Sequence, residues 1–582
     1  MKTTLAVVFA CFQPNKFFAQ SFAVKNSRLL LPLATVLGST WANSGSSASC
    51  TTSSTSLAMG NSASVATSDA KTLEEASEAY KTLKTKLTTI TQLERVNGLL
   101  EYDQMVFMPE SAAGERGAQM SALAAVVHDK STDKEILKLI EQSEQDLATN
   151  SDGTHEFKEE ARLLELEKKD FLNNARVSSE LASRQAALKA ESHGVWAKAR
   201  QDNDFSAFEP LLKKCFDTSK EIAEAKRGGK TGISHYTQML DEFEMGMSPQ
   251  RIDDIFDEIQ KALVPLIEKV LSDKATPPST EPLNGDFPID QQKEMNRKLV
   301  TAIGFDEDKG RIDVSVHPFT LSISPSDVRI TSRFRTDEWY QGLAGTIHEG
   351  GHALYEQNLG SSALKLDSAL SMGMHESQSL FWERHVGLSK PFWSFATPIL
   401  KEHLPELEKY SSDELYGAVN AVSRSLIRVE ADELTYPLHV ILRYLIERDV
   451  IEGKLAVKDI PAQWNKLMKE MLGVSVPNDT KGCLQDVHWS MMAIGYFPTY
   501  LIGSSTAAQL AHYCKKDIPD FDKRVSAGDF KEIKAWLTKK VHVHGKRYKS
   551  LDDLLESELG EPLNPQYFIT YLTEKYSELY KI

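Results

Sequence analysis

The stretch Thr346-Ile-His-Glu-Gly-Gly-His-Ala-Leu-Tyr-Glu-Gln357 constrains this chain more than any other. Its two histidines, His348 and His352, are four residues apart, so on an α-helix they project from one face, where both imidazoles reach a single metal ion. Glu349 sits beside the first of them, within reach of a water at that metal as a general base. Gly350 and Gly351 cost such a helix about 1 kcal/mol each relative to alanine, so a second segment or a substrate is expected to come close there. Thr336 or Asp337 reads as the N-cap of this helix, and Gly360 as its end.

A catalytic zinc needs three protein ligands and one open position. Positions 355 and 358 are Tyr and Asn, so no third histidine follows on the same turn and the third ligand comes from elsewhere. The best candidate is Glu376 in Gly373-Met-His-Glu-Ser-Gln-Ser379, set in a second helical stretch able to lie against the first. It would complete a two-His, one-Glu site.

The surroundings are those of a large, soluble, mainly α-helical chain. Of its 582 residues 41% are hydrophobic and 26% charged, and no apolar run reaches the roughly 18 residues that span a bilayer. A net charge of −15 argues against a nucleic-acid partner. Five widely spaced cysteines offer neither a disulfide framework nor a cysteine zinc site, and the three in the body of the chain read as buried, inert thiols. Residues 1–68 hold no Asp or Glu and are dense in Ser, Thr and Ala, as in a leader bound for a plastid or mitochondrion. Its first stretch, Leu5 to Phe12 behind Lys2, also suits a secretory signal, so a secreted or cytoplasmic destination is the alternative.

From residue 69 to 582 the chain reads as one catalytic domain. Leu73, Ala76, Tyr80, Leu83 and Leu87 recur at helical steps. Pro109 suits the start of a helix from Ser111, and further helices are predicted over Thr154–Arg200, Phe205–Lys226 and Pro249–Ser272. The breaker-rich run Ala275–Gly285 reads as a surface excursion. Alternation at Ile312, Val314 and Val316, and again at Val328, Ile330 and Ser332, predicts two or three short strands just ahead of the metal helix, whose edge could hold an extended peptide. After Arg384 an almost wholly helical chain is expected.

Several separated motifs stand in one order: His317-Pro-Phe319, Asp327-x-Arg329-x-Thr331, His348-Glu-x-x-His352, His375-Glu-Ser-Gln-Ser379, Ile427-Arg-x-x-Ala-Asp432 and Gly482-x-x-Gln485-Asp-x-His488-Trp489. Echoes at Tyr102-Asp103, Met108-Pro109 and Arg116 precede them. In these motifs the chain resembles the carboxypeptidase Taq family of metallocarboxypeptidases. The resemblance implies an elongated helical body with a deep central groove, usually a homodimer. It implies His348, His352 and Glu376 as ligands of one zinc ion per subunit, with cobalt as an accepted substitute, and Glu349 as the base. It points to Arg428 as the clamp for the free carboxylate of a peptide substrate, with Arg329 as second choice unless that residue pairs with an acid inside the fold. His488 and one of Tyr496 or Tyr500 are the candidate donors to a tetrahedral oxyanion, with Tyr496 preferred for catalysis and Tyr500 for substrate contact. Asp432 and Asp486 read as residues that orient histidines or anchor helices.

The implied activity is removal of single residues from carboxyl ends. An oligopeptidase or dipeptidyl carboxypeptidase with the same metal chemistry is the second reading, and a non-catalytic peptide-binding relative the third.

Overall fold

A computed structural model describes residues 72–151 and 157–582; the leader at 1–68 lies outside them. The fold is mainly α-helical with one three-stranded sheet. Among the described residues no helix is long and apolar enough to cross a membrane.

Each helix follows from its pattern. The helix Pro249–Val270 starts on Ser248, whose hydroxyl accepts from Arg251 N–H at 3.1 Å, has proline in its first turn, and buries Ile252, Ile255, Phe256, Ile259, Leu263, Leu266, Ile267 and Val270 along one stripe. Pro498–Asp517 has no exposed face from Pro498 to Ala511. It is the axle of the main core, with the helices Met372–Leu380, Tyr436–Ile451 and Gln566–Tyr580 packed around it.

A satellite core of Leu73, Tyr80, Leu83, Leu87, Ile90, Ile136, Ile140 and Leu163 binds the amino-terminal helices to one another. Half-buried charge ties that layer to the body: Lys365 Nζ lies 3.1 Å from Glu167 and 2.5 Å from Asp170. The early echoes of the motif series also find a use here. Arg116 joins the helix Ala113–Ser131 to Glu78–Val106 through Asp103 (2.6 Å) and the Leu100 carbonyl (2.7 Å). Tyr102 donates to Asp313 of the sheet at 2.5 Å.

The sheet has the order β1-β3-β2, with β1 (Gly310–Val314) parallel and β2 (Thr320–Ser324) antiparallel to β3 (Asp327–Ser332). Val316 lies beyond β1. On β3, Ser332 Oγ contacts Thr346 of the metal helix at 2.9 Å, so the sheet is fastened to the helix two residues before His348.

Several sequence expectations need correction. The metal helix runs Tyr340–Glu356 with Trp339 at its N-cap position; Glu338 accepts from the first-turn N–H of Gln341, while Asp337 is engaged by Arg335 at 2.6 Å. The helix stops at Glu356, before Gly360. Thr154–Arg200 is two helices, Lys158–Arg176 and Ser179–Asp202, the second capped by Ser178. The predicted helix from Ser111 begins as a short 3₁₀ turn, Glu110–Ala112, before Ala113–Ser131. The excursion at 275–285 is anchored where Trp339 Nε1 donates to the Pro282 carbonyl at 2.9 Å. Beyond Arg384, residues 420–435 and 473–497 are largely non-helical, and both spans carry motif residues.

Cys215, Cys483 and Cys514 are buried free thiols, as expected. Glu244 is also buried: it accepts from the Gly373 N–H at the start of Met372–Leu380, and burial pushes its carboxyl up to about 8. A carboxyl raised in the fold stabilises it fully below the unfolded value of 4.5, and that contribution is lost as pH rises toward about 8. Glu244→Gln keeps an acceptor without the charge, so its melting temperature relative to wild type is expected to be higher at pH 8 than at pH 5. Equal differences at both pH values would contradict this account.

Candidate active site

The site is assembled where two helices touch backbone to backbone. A Cβ at position 351 would lie 2.6 Å from Ser379 Cα and 2.7 Å from the Gln378 carbonyl oxygen, and one at position 350 would meet Val300 at 2.4 Å. The costly glycines are thus explained by packing. Gly351 lets Met372–Leu380 lie directly against the metal helix, and Gly350 admits Val300 of the helix Ile289–Ala302. A third glycine completes the approach: a Cβ on Gly503, in the axle helix, would lie 2.7 Å from both Cβ and Cγ of Glu376.

The result brings His348, His352 and Glu376 together, each offering one ligand atom within 4.8 Å of the others. Glu376 Oε2 is 3.9 Å from His348 Nε2 and 3.6 Å from His352 Nε2. The other nitrogen of each ring is already engaged. His348 Nδ1 meets Glu383 Oε2 at 2.6 Å, and His352 Nδ1 meets the His375 carbonyl at 3.1 Å. These contacts leave both Nε2 atoms to face Glu376, as metal-binding imidazoles require. The His375 ring stacks on His352 at 4.4 Å and is held in turn by Glu356 at 3.0 Å. Burial raises the carboxyl groups of both Glu349 and Glu376 above the usual range, which a bound cation would offset. Against the cost of burial, Glu376 and Glu383 push the His348 imidazole up to about 9, a preference for positive charge that a bound cation would satisfy in place of the proton, and two imidazoles with a carboxylate suit a divalent zinc-type ion, so the donor set fits the metal.

Glu349 is oriented by the sheet. Thr320 Oγ1 of edge strand β2 lies 2.7 Å from its Oε2 and 3.0 Å from its main-chain oxygen. Glu383 was missed in the sequence. It stands seven residues after Glu376, on a π-helical continuation from Phe381 to Gly387.

The remaining candidates form a second group beside the triad. His488 Nε2 is 3.1 Å from the Tyr500 hydroxyl, Tyr496 packs edge-on against Tyr500 at 5.3 Å, and the Arg428 guanidinium lies 4.9 Å over the Tyr500 ring. Burial and the Arg428 charge push His488 down to about 3, so it is neutral. Arg329 is placed apart from this group: both arms pair with Asp327, at 2.8 and 2.9 Å, and it stacks over Tyr102 at 5.0 Å. Asp486 and Gln485 hold arginines in place. Asp486 takes Arg428 at 3.0 Å and Arg443 at 2.6 Å, while Gln485 Oε1 accepts from Arg428 N–H at 2.9 Å and from Arg443 at 2.6 Å. Trp489 Nε1 donates to the buried Glu447 at 3.1 Å.

A helical body with such a centre has the form of a metal-dependent peptidase. The profile of the carboxypeptidase Taq (M32) metallopeptidase family matches residues 82–576, and the chain belongs to that family. Carboxypeptidase 1 of Bacillus subtilis is 35% identical over 499 residues, covering 85% of this chain and 97% of the relative. Thermostable carboxypeptidase 1 of Pyrococcus furiosus is 33% identical over 508 residues, covering 86% and 98%. Among solved structures, the M32 carboxypeptidase of Deinococcus radiodurans superimposes with a TM-score of 0.82 at 33% identity, covering 87% of this chain and 100% of the other. The protein is a metallocarboxypeptidase, a peptide hydrolase.

Glu383→Gln is expected to weaken metal binding by about 10- to 100-fold, the range for partners that orient a ligand, while the fold persists. Competition with a chelator followed by metal analysis measures this. Unchanged affinity would remove Glu383 from the site.

Proposed function

We propose that the protein is a zinc carboxypeptidase that releases single residues from peptides with a free carboxyl end. The convergence of three ligand atoms within 4.8 Å, beside a base held by Thr320, carries this reading. A divalent cation held by His348, His352 and Glu376 supplies Lewis-acid polarisation of the scissile carbonyl and lowers the pKa of water there.

The chain supplies the rest. Glu349 takes a proton from the attacking water and delivers it to the leaving amine, with Thr320 keeping one carboxylate oxygen in place. The neutral His488, with Tyr496 and Tyr500 beside it, offers donors to the oxyanion. Strand β2 is an edge strand next to Glu349, a place for the extended peptide to pair. The Arg428 region receives the free carboxylate. Arg329, paired with Asp327, is set aside as a clamp. A homodimer and an organelle destination belong to the same reading, supported by the family resemblance and by the composition of residues 1–68; sedimentation and the mass of the processed amino terminus test them.

Glu349→Gln should retain the metal while kcat falls on the order of 10²- to 10⁴-fold or more. Metal analysis with mass spectrometry of a digested peptide ladder tests metal and reaction together. Losses of two residues at a time, or near-normal turnover by the variant, would overturn the proposal.

A further inference from the structure

Arg428 does not offer a free fork to a carboxylate. Its Nε donates to Asp486 Oδ1 at 3.0 Å, and Nη2 lies 3.0 Å from the same oxygen as an ion pair without a hydrogen bond of its own, so that edge of the guanidinium is turned toward an acid within the protein. Arg443 binds the other oxygen of Asp486. Two guanidiniums thus share one carboxylate, and the adjacent His488 is neutral. The group therefore holds an excess positive charge that attracts an anion but shows it little of Arg428, which is only 3% exposed.

Arg428 Nη1 donates to the hydroxyl of Tyr436 at 3.3 Å. The hydroxyl accepts there. Among the described residues no acceptor is found for its own O–H. Buried tyrosine hydroxyls ordinarily find a partner, so an O–H without an acceptor, backed by a cation, has the character of a donor awaiting an anion.

The position of the ring supports this. The Arg384 guanidinium lies 4.9 Å from its centroid and is tied to the axle helix by Ser504 at 3.2 Å. Tyr500 meets the ring edge-on at 6.3 Å. Tyr436 thereby stands between the arginine pair and the helix whose Gly503 backs Glu376. Its orientation is built by the Ile427–Asp432 motif: Asp432 Oδ1 accepts from the N–H groups of Leu434 and Thr435, each at 3.0 Å, and the turn so formed starts the helix at Tyr436. Burial keeps the phenol protonated above its ordinary range, so it remains a donor.

We propose that the Tyr436 hydroxyl, backed by Arg428, donates a hydrogen bond to the terminal carboxylate of the peptide and is the group that separates a free carboxyl end from an amidated one. This rests on the carboxypeptidase reading. Tyr436→Phe in the metal-loaded full chain removes only the hydroxyl and leaves the ring beneath Arg384. KM for a free-acid peptide should rise about tenfold or more, as for loss of a hydrogen bond to a charged group, with kcat within about twofold. Inhibition by a free-acid peptide should weaken in parallel, inhibition by its amidated form should not, and metal content should stay unchanged. Unaltered KM, an equal loss for the amidated inhibitor, or a fall in kcat at constant KM would each overturn the proposal. Failure of the underlying reading looks different, because wild-type protein would then release products other than single residues from the ladder.

Discussion

The contact on which the rest depends is the one between Gly351 and the backbone at Ser379. A histidine pair on one helix is an incomplete metal site, and a glutamate ligand can join it only if its own helix comes within main-chain distance. With any side chain at 351, Cβ would sit 2.6 Å from Ser379 Cα. Gly503 does the same on the far side of Glu376, so the ligand carboxylate is gripped between two helices that each give up a side chain to admit it. The helix-propensity cost of glycine is the local sacrifice, and the assembled triad is what it secures.

Charge is arranged by the same logic of close partnership. His348 lies between two carboxylates, Glu376 toward the site and Glu383 behind it. Asp486 lies between two guanidiniums, Arg428 and Arg443. One group concentrates negative charge at the three candidate metal ligands, and the other concentrates positive charge beside Tyr436 and Tyr500. Buried charges of this kind persist only with partners, which is why the sheet, the π-helical turn and the irregular spans around 428 and 486 are fastened to them by named hydrogen bonds.

The sequence was informative where chemistry and periodicity coincide. His348 and His352 were readable from helical spacing alone, Glu376 from a second helical stretch nearby, and the strands from alternation before the metal helix. Legibility failed where a residue's role is set by the charged partner it chooses, near or far in the chain. Asp337 looked like a cap but is drawn to Arg335, and Arg329 looked like a clamp but is paired with Asp327. Gln485 stood in a motif, but its partner Arg443 did not, since their bond joins a helix to a loop more than forty residues on. The spans 420–435 and 473–497 read as helical because their apolar content is high, yet their backbone is shaped by side-chain bonds such as those of Asp432 and Gln485. Glu383 lay beyond simple helical spacing, because the backbone turns π-helical from Phe381.

Two Nε2 atoms and one glutamate oxygen are expected to make up the protein's share of the metal coordination. X-ray absorption spectroscopy of the zinc-loaded full chain tests it directly. The expected first shell holds two imidazole nitrogens and carboxylate or water oxygens at about 2.0–2.2 Å, and one imidazole signature is lost in His352→Ala. A shell containing sulfur, or one unchanged by that substitution, would contradict it.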